Sequence, residues 1–98
     1  AQISGSIAGT VADANGAVVP SATVVVSGES GQQFTVSTNS SGGYRVPALN
    51  SGIYTVAVTA PNFKRTLIER IKVDVGTPTT VNVALQTGDV SESVTVTG

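Results

Sequence analysis

The stretch from Gly9 to Val26 constrains the fold more than any other part of the chain. It reads as a strand, an Asn15-Gly16 turn, a corner marked by Pro20, and a second strand. Ile3, Ile7 and Val11 share one parity before the turn, and Val24 and Val26 share another after it. A period of two turns one face of each strand toward a core and leaves the other face wet. Val and Thr are abundant, and their β-branched side chains suit a pleated surface. Good helix formers are scarce. The 98 residues fit one domain with a modest core. Valine dominates that core, because the only aromatics are Phe34, Tyr44, Tyr54 and Phe63.

The same grammar repeats to the C-terminus, with no helical break. Seven strands are predicted, at residues 3–13, 22–27, 33–38, 44–47, 53–59, 65–75 and around 81–85, and an eighth at 90–97. Asn-Gly is the strongest short hairpin signal. Gly28-Glu29-Ser30-Gly31, residues 39–43, Asn50-Ser51-Gly52, Ala60-Pro61-Asn62 and Gly76-Thr77-Pro78 supply the other turns. Pro20 cannot donate to a ladder and belongs at a strand start or an edge. In strand six Leu67, Ile71, Val73 and Val75 are expected inside, with Arg70, Lys72 and Asp74 outside. Glu69 falls on the apolar parity, so a bulge or an edge position is expected near it. Val81, Val83 and Leu85 should point inward. Short strands spaced in this way indicate a β-sandwich.

The net charge of −1 argues against nucleic-acid binding, which needs a broad basic patch. Lys64, Arg65, Arg70 and Lys72 do cluster, and read as the solvated face of an amphipathic strand. With no Cys and no His there is no disulfide framework and no Cys-ligated metal site, and no cofactor is expected. General acid–base work usually relies on His or a shifted carboxylate, and the six carboxylates are scattered. No base stands ready to activate a Ser or Thr, so an enzyme is not expected. Asp13-Ala14-Asn15-Gly16 lacks the further carboxylates of a calcium loop and reads as a capped turn. No apolar run approaches the ~20 residues of a membrane helix, so direct membrane insertion is not expected. The chain has no Met, so residue 1 is expected to be a processed or cloned end, and Ala1-Gln2 is a pair that often follows signal-peptidase cleavage.

Gly9-Thr10-Val11, Asn15-Gly16, residues 19–24, residues 38–44, residues 48–56 and Ala60-Pro61-Asn62-Phe63 together resemble the carboxypeptidase regulatory-like domain. The resemblance implies an all-β fold, a seven- to eight-stranded antiparallel Greek-key β-sandwich of the transthyretin-like or Ig-like kind. It covers residues 1–87. Residues 88–98 are then a C-terminal strand, or a connector to a following domain or neighbouring subunit. That closing segment resembles the one that follows this domain in Oar-like TonB-dependent outer-membrane receptors. The implied location is export to the periplasm, outer membrane or cell surface of a Gram-negative bacterium. Pilin-type sandwiches look broadly similar, but their isopeptide bond needs a Lys in the first strand, and the first Lys here is Lys64. Tyr44 and Tyr54 are expected to bury their rings with the hydroxyls on backbone partners, and Phe63 to plug one end.

The expected function is a non-catalytic, exported interaction or spacer domain of such a receptor. Its partners would be adjoining receptor domains or neighbouring subunits, reached through β-edge pairing. The candidate edge is Val90, Glu92, Val94 and Val96, where pairing in cis and in trans are both open. The candidate loops are Asn39, Ser40, Ser41, Asn50 and Ser51. A second reading is a structural subunit that assembles by strand exchange into a filament or surface layer. A third is a carbohydrate-binding module, which usually needs exposed aromatic platforms.

Overall fold

Alternation is plainest in β5, Gly52–Thr59, where Tyr54, Val56 and Val58 are buried and Thr55, Ala57 and Thr59 are half-buried on the opposite face. The structure, a computed structural model, describes residues 5–29, 31–89 and 91–97, apart from the side chains of Ala48 and Thr97. One sheet places β1 (Gly5–Asp13) between β4 (Gly43–Leu49) and two short strands, β7 (Pro78–Thr80) and β8 (Val83–Leu85). The other sheet runs β3 (Gln33–Ser37), β2 (Thr23–Gly28), β5, β6 (Arg65–Val73) and β9 (Ser93–Thr97). Ile7, Val11, Val46, Leu49 and Leu85 from the first sheet meet Val24, Val26, Val56, Val58 and Val73 from the second, all fully buried. The β-sandwich expected from alternation is the observed architecture, filled mainly by valine.

Two features of the expected topology are corrected. Nine strands lie among the described residues, and the sheets are mixed rather than antiparallel. β7 and β8 both run parallel to β1, and β9 runs parallel to β6. The cause is the crossings between sheets. The chain leaves β6 at one end and enters β7 in the opposite sheet beside β1, which runs the same way. After β8 it crosses the other end and comes down as β9 beside β6. The predicted seventh strand breaks because Asn82 replaces a backbone partner: its Oδ1 accepts the Thr10 N–H at 3.2 Å. Val83 and Leu85 are buried as expected, and Val81 is half-buried against the core. The predicted fourth strand is also longer, running through Pro47. β4 is an edge strand there, and its register against β1 shifts between Gly5 and Ile7, so the proline falls where a missing donor is tolerated.

Three turns share one design. Gly16 donates to the Asp13 carbonyl and Asp13 to the Ala17 carbonyl; Gly42 to Asn39 and Asn39 to Gly43; Gly31 to Gly28 and Gly28 to Gln32. The glycine in each has positive φ, at 86°, 74° and 93°, a region most side chains avoid. In the first two turns the Asx side chain accepts two amides as well: Asp13 Oδ1 from Asn15 and Ala17, Asn39 Oδ1 from Ser41 and Gly43. The Asp13 carboxylate is thus engaged as a turn cap.

The bulge predicted near Glu69 is present. Tyr54 pairs with Ile71 and Val56 with Ile68, so Glu69 and Arg70 together face Thr55. Arg70 carries the change of register, with φ at 59°. The bulge reverses the facing of the strand. Thr66 and Ile68 point inward before it, and Ile71 and Val73 after it. Leu67, expected inside, is therefore half-buried on the outer face, and Val75, also expected inside, lies beyond the strand and is exposed.

Thr66 is buried and its Oγ1 has no hydrogen-bond partner among the described residues. A buried hydroxyl without a partner costs desolvation and returns nothing. Thr66→Val is accordingly expected to be neutral or to stabilise by up to about 1 kcal/mol in denaturant titrations. A loss above that would mean that the hydroxyl has an unseen partner.

Candidate interaction edge

The end strand β9 is the centre of the candidate site. It pairs in cis with β6, from Arg65 beside Ser93 to Glu69 beside Thr97. The Arg65 N–H donates to the Glu92 carbonyl at 2.9 Å. In a parallel ladder this fixes the direction of every group that follows. Even-numbered residues of β9 aim their N–H and C=O at β6. Ser93, Thr95 and Thr97 aim theirs at the open side of the sheet. The sequence singled out the even set, Glu92, Val94 and Val96, and those prove to be the ones bound in cis. Val90, the fourth of that set, lies outside the described residues. The odd set carries the free backbone, and its parity is invisible until the pairing with β6 is known.

Side chains follow the same register. Val94 and Val96 lie beside Thr66 and Ile68 and face the inner side of the sheet. The first sheet is narrower there. Val94 is half-buried, and Val96 stays 47% exposed. Beside it lies a cleft of about 460 Å³, with Ile68, Arg70, Ile71, Lys72 and Val81 among its lining. A turn leads into β9. The Asp89 carbonyl accepts the Glu92 N–H at 2.9 Å, and its carboxylate accepts the Ser91 N–H at 3.1 Å. The hydrogen bonds from Ser91 hold the Asp89 carboxyl below its ordinary value.

The basic cluster divides in two. The bulge brings Arg65 onto the same outer face as Arg70 and Lys72, which strict alternation would have prevented, and all three are exposed. Lys64 precedes the strand, half-buried, with its Nζ 4.0 Å from the Glu92 carboxylate. The two loop sets lie at opposite ends of the sandwich. Asn39, Ser40 and Ser41 sit beside the Asp13 turn, where the Val11 N–H reaches the Gly42 carbonyl. The Asn39 side chain is occupied by its own turn. Asn50 and Ser51 line a cleft of about 230 Å³ at the other end, with Glu29, Gln32 and Tyr54.

Both tyrosines act as expected. Tyr54 donates to the Asn50 carbonyl at 2.7 Å and pins the turn into β5. Tyr44, itself only 6% exposed, donates to the Val81 carbonyl at 2.6 Å. Phe63 packs half-buried against the core, where it bridges Thr87. Thr38, which the sequence did not single out, and the backbone of Val81, which it read only as a core side chain, are as important to the frame. Thr38 Oγ1 donates to the Val19 carbonyl at 2.7 Å and accepts the Ala22 N–H at 2.8 Å, holding the Pro20 corner. Val81 donates to the Ala8 carbonyl at 2.8 Å, and its own carbonyl rests on Gly9.

Burial pushes the Tyr44 phenol from 10.0 up to about 12. The unfolded chain then ionises first as the pH rises. Stability from this group is complete below pH 10 and is lost as the pH climbs to about 12, a fall of roughly 2–3 kcal/mol. Denaturant titrations at pH 9 and pH 12 should show this extra fall in the wild type and not in Tyr44→Phe. Equal falls in the two proteins would remove Tyr44 as its source.

Comparison with solved structures gives the same sandwich at low identity. The TIE protein of Bacillus anthracis superposes with a TM-score of 0.75 at 21% identity, covering 88% of this chain and 17% of that one. The minor pilin GBS52 of Streptococcus agalactiae gives 0.68 at 14%, covering 88% and 45%. Catechol 1,2-dioxygenase of Acinetobacter radioresistens gives 0.65 at 14%, covering 99% and 58%. This chain therefore spans less than two thirds of each. A pilin and a dioxygenase share one scaffold here, so the likeness speaks for fold alone. No curated protein matches the chain. The model of the carboxypeptidase regulatory-like domain matches residues 6–86.

Proposed function

The chain belongs to the carboxypeptidase regulatory-like domain family, and from that premise we propose that it is a non-catalytic accessory domain of an exported outer-membrane receptor of the TonB-dependent kind. Its work is rigid-body: it holds edges and end loops at fixed positions for adjoining receptor domains. The observation that carries this reading is β9. The family match ends at residue 86, yet residues 93–97 complete the second sheet. The segment that resembles the receptor connector is thus anchored to the sandwich through Ser93–Thr97. A connector held in this way sets the orientation of whatever it joins, as a flexible linker cannot.

Strand exchange into a filament is less well supported, since β9, the strand that would be donated, is already docked in cis. Carbohydrate binding is weaker still. Tyr54, the aromatic nearest the polar end cleft, is only 3% exposed and offers no stacking platform.

Photo-crosslinking groups placed at Ser40 and Ser51, at the two ends of the sandwich, test the proposal in the native cells. Crosslinks to the plug or barrel of an outer-membrane receptor are expected. Crosslinks only to cytoplasmic proteins, or none at either position, would overturn the reading.

A further inference from the structure

We propose that the open edge of β9 binds β9 of a second copy of this domain, antiparallel, about a two-fold axis through Thr95. The inference does not depend on the receptor reading, which concerns other domains.

The strand is a near-palindrome. Ser93-Val94-Thr95-Val96-Thr97 reads almost the same in both directions about its centre. A two-fold interface requires that property, because each residue meets its mirror position on the partner. In this register Thr95 lies opposite Thr95, and Ser93 opposite Thr97. The backbone is already aimed correctly. The Arg65-to-Glu92 hydrogen bond sends the N–H and C=O of Ser93, Thr95 and Thr97 outward. Every one of those free groups finds a partner on the second copy, in hydrogen-bonded pairs of the antiparallel kind.

The side chains fit the same register. Val94 lies opposite Val96 of the second copy, and Val96 opposite Val94. The exposed Val96, one of three large hydrophobics left open among the described residues, gains an aliphatic cross-strand neighbour. Charges agree as well. Arg65 is beside Ser93 in register and Glu69 beside Thr97. The two-fold therefore puts Glu69 of one copy and Arg65 of the other in one row, opposite in sign, with no like charges facing.

Other edges fit less well. β4 has Pro47 and a register shift, and β7 begins with Pro78, both devices that protect an edge. β3 is free of proline, but its Phe34 and Val36 are already packed against the core, so pairing there would cover no exposed aliphatic. Among the described residues, β9 has neither a proline nor a covering strand on its open side.

The contact is small. It falls below the ~1,200 Å² of a stable complex, so a weak dimer with a dissociation constant on the order of 10⁻⁴ M is expected. Sedimentation equilibrium of the whole chain from about 10 µM to 1 mM tests it. The wild type should pass from monomer to mostly dimer over that range. Thr95→Pro deletes an outward N–H and leaves the bonds to β6 intact, so it should stay monomeric with an unchanged fold. Thr35→Pro makes the same change on the β3 edge and should dimerise as the wild type does. Val96→Lys places a charge against Val94 of the partner without touching the backbone, and should weaken the dimer at least tenfold even if Thr95→Pro fails to fold. A wild type monomeric at 1 mM would overturn the proposal. So would dimerisation unaffected by Val96→Lys, or a dimer abolished by Thr35→Pro and kept in Thr95→Pro.

Discussion

Gly9→Ala is expected to destabilise the domain by about 3 kcal/mol or more, lowering Tm by roughly 15 °C. Gly9 lies in the middle of β1, where φ is ordinary and alanine would normally be welcome. The obstacle is the Val81 carbonyl. A Cβ built on Gly9 falls well under 3.0 Å from that oxygen, and a backbone atom cannot swing aside as a side chain can. Nor is the oxygen free to move. Val81 donates to the Ala8 carbonyl on one side and accepts the Tyr44 hydroxyl at 2.6 Å on the other. Moving it breaks the contact that joins β1, β4 and the β7–β8 link. Gly16→Ala is the matched control. No atom lies within 4 Å of its built Cβ, so only its φ of 86° opposes the change, at about 1 kcal/mol. Thermal unfolding of both variants separates close approach from backbone conformation. A Gly9→Ala midpoint within about 3 °C of wild type would mean that Val81 does not sit where the structure places it.

Thr38→Val should cost about 2–4 kcal/mol, although it keeps shape and β propensity. The hydroxyl serves two backbone groups that have turned away from any ladder. Val19 C=O and Ala22 N–H flank the Pro20-Ser21 corner, where the chain passes from one sheet to the other. Ser21 has φ at 58°, so the corner is itself unfavourable and depends on its clamps. Valine would leave both groups buried and unpaired. Thr38→Ser keeps the hydroxyl and should lose only about 1 kcal/mol, for the missing methyl. Urea titrations of the two variants check this. Equal losses would show that the methyl, not the hydroxyl, matters at this corner.

Alternation made the fold class legible, because valine on one parity leaves little choice of partner face. Turn chemistry was equally readable at Asp13-to-Gly16 and Asn39-to-Gly42, where local side-chain caps and glycine act within a few residues. The bulge could be inferred from one misplaced carboxylate, Glu69. Its consequence for Leu67 could not, because the residue that takes the extra step, Arg70, has nothing in its chemistry to mark it. Parallel pairing was hidden for a similar reason. Strand direction beside β1 and β6 is set by crossings between distant segments, and single-strand periodicity is blind to it. Asn82 breaking a strand, and Thr38 clamping a corner, depend on groups 72 and 16 to 19 residues away. At the candidate edge the last strand was identifiable from the sequence, where only Asp89 and Glu92 supply charge. Which residues offer free backbone was not, since that requires the register with β6.

The account rests on β9 lying in cis against β6 with its odd-numbered amides turned outward. Amide hydrogen exchange by NMR on the dilute, monomeric chain reads this residue by residue. Protected amides at Val94 and Val96, with fast exchange at Ser93, Thr95 and Thr97, are the expected result. Uniformly fast exchange from Ser93 to Thr97, or protection of the odd residues in the monomer, would contradict it.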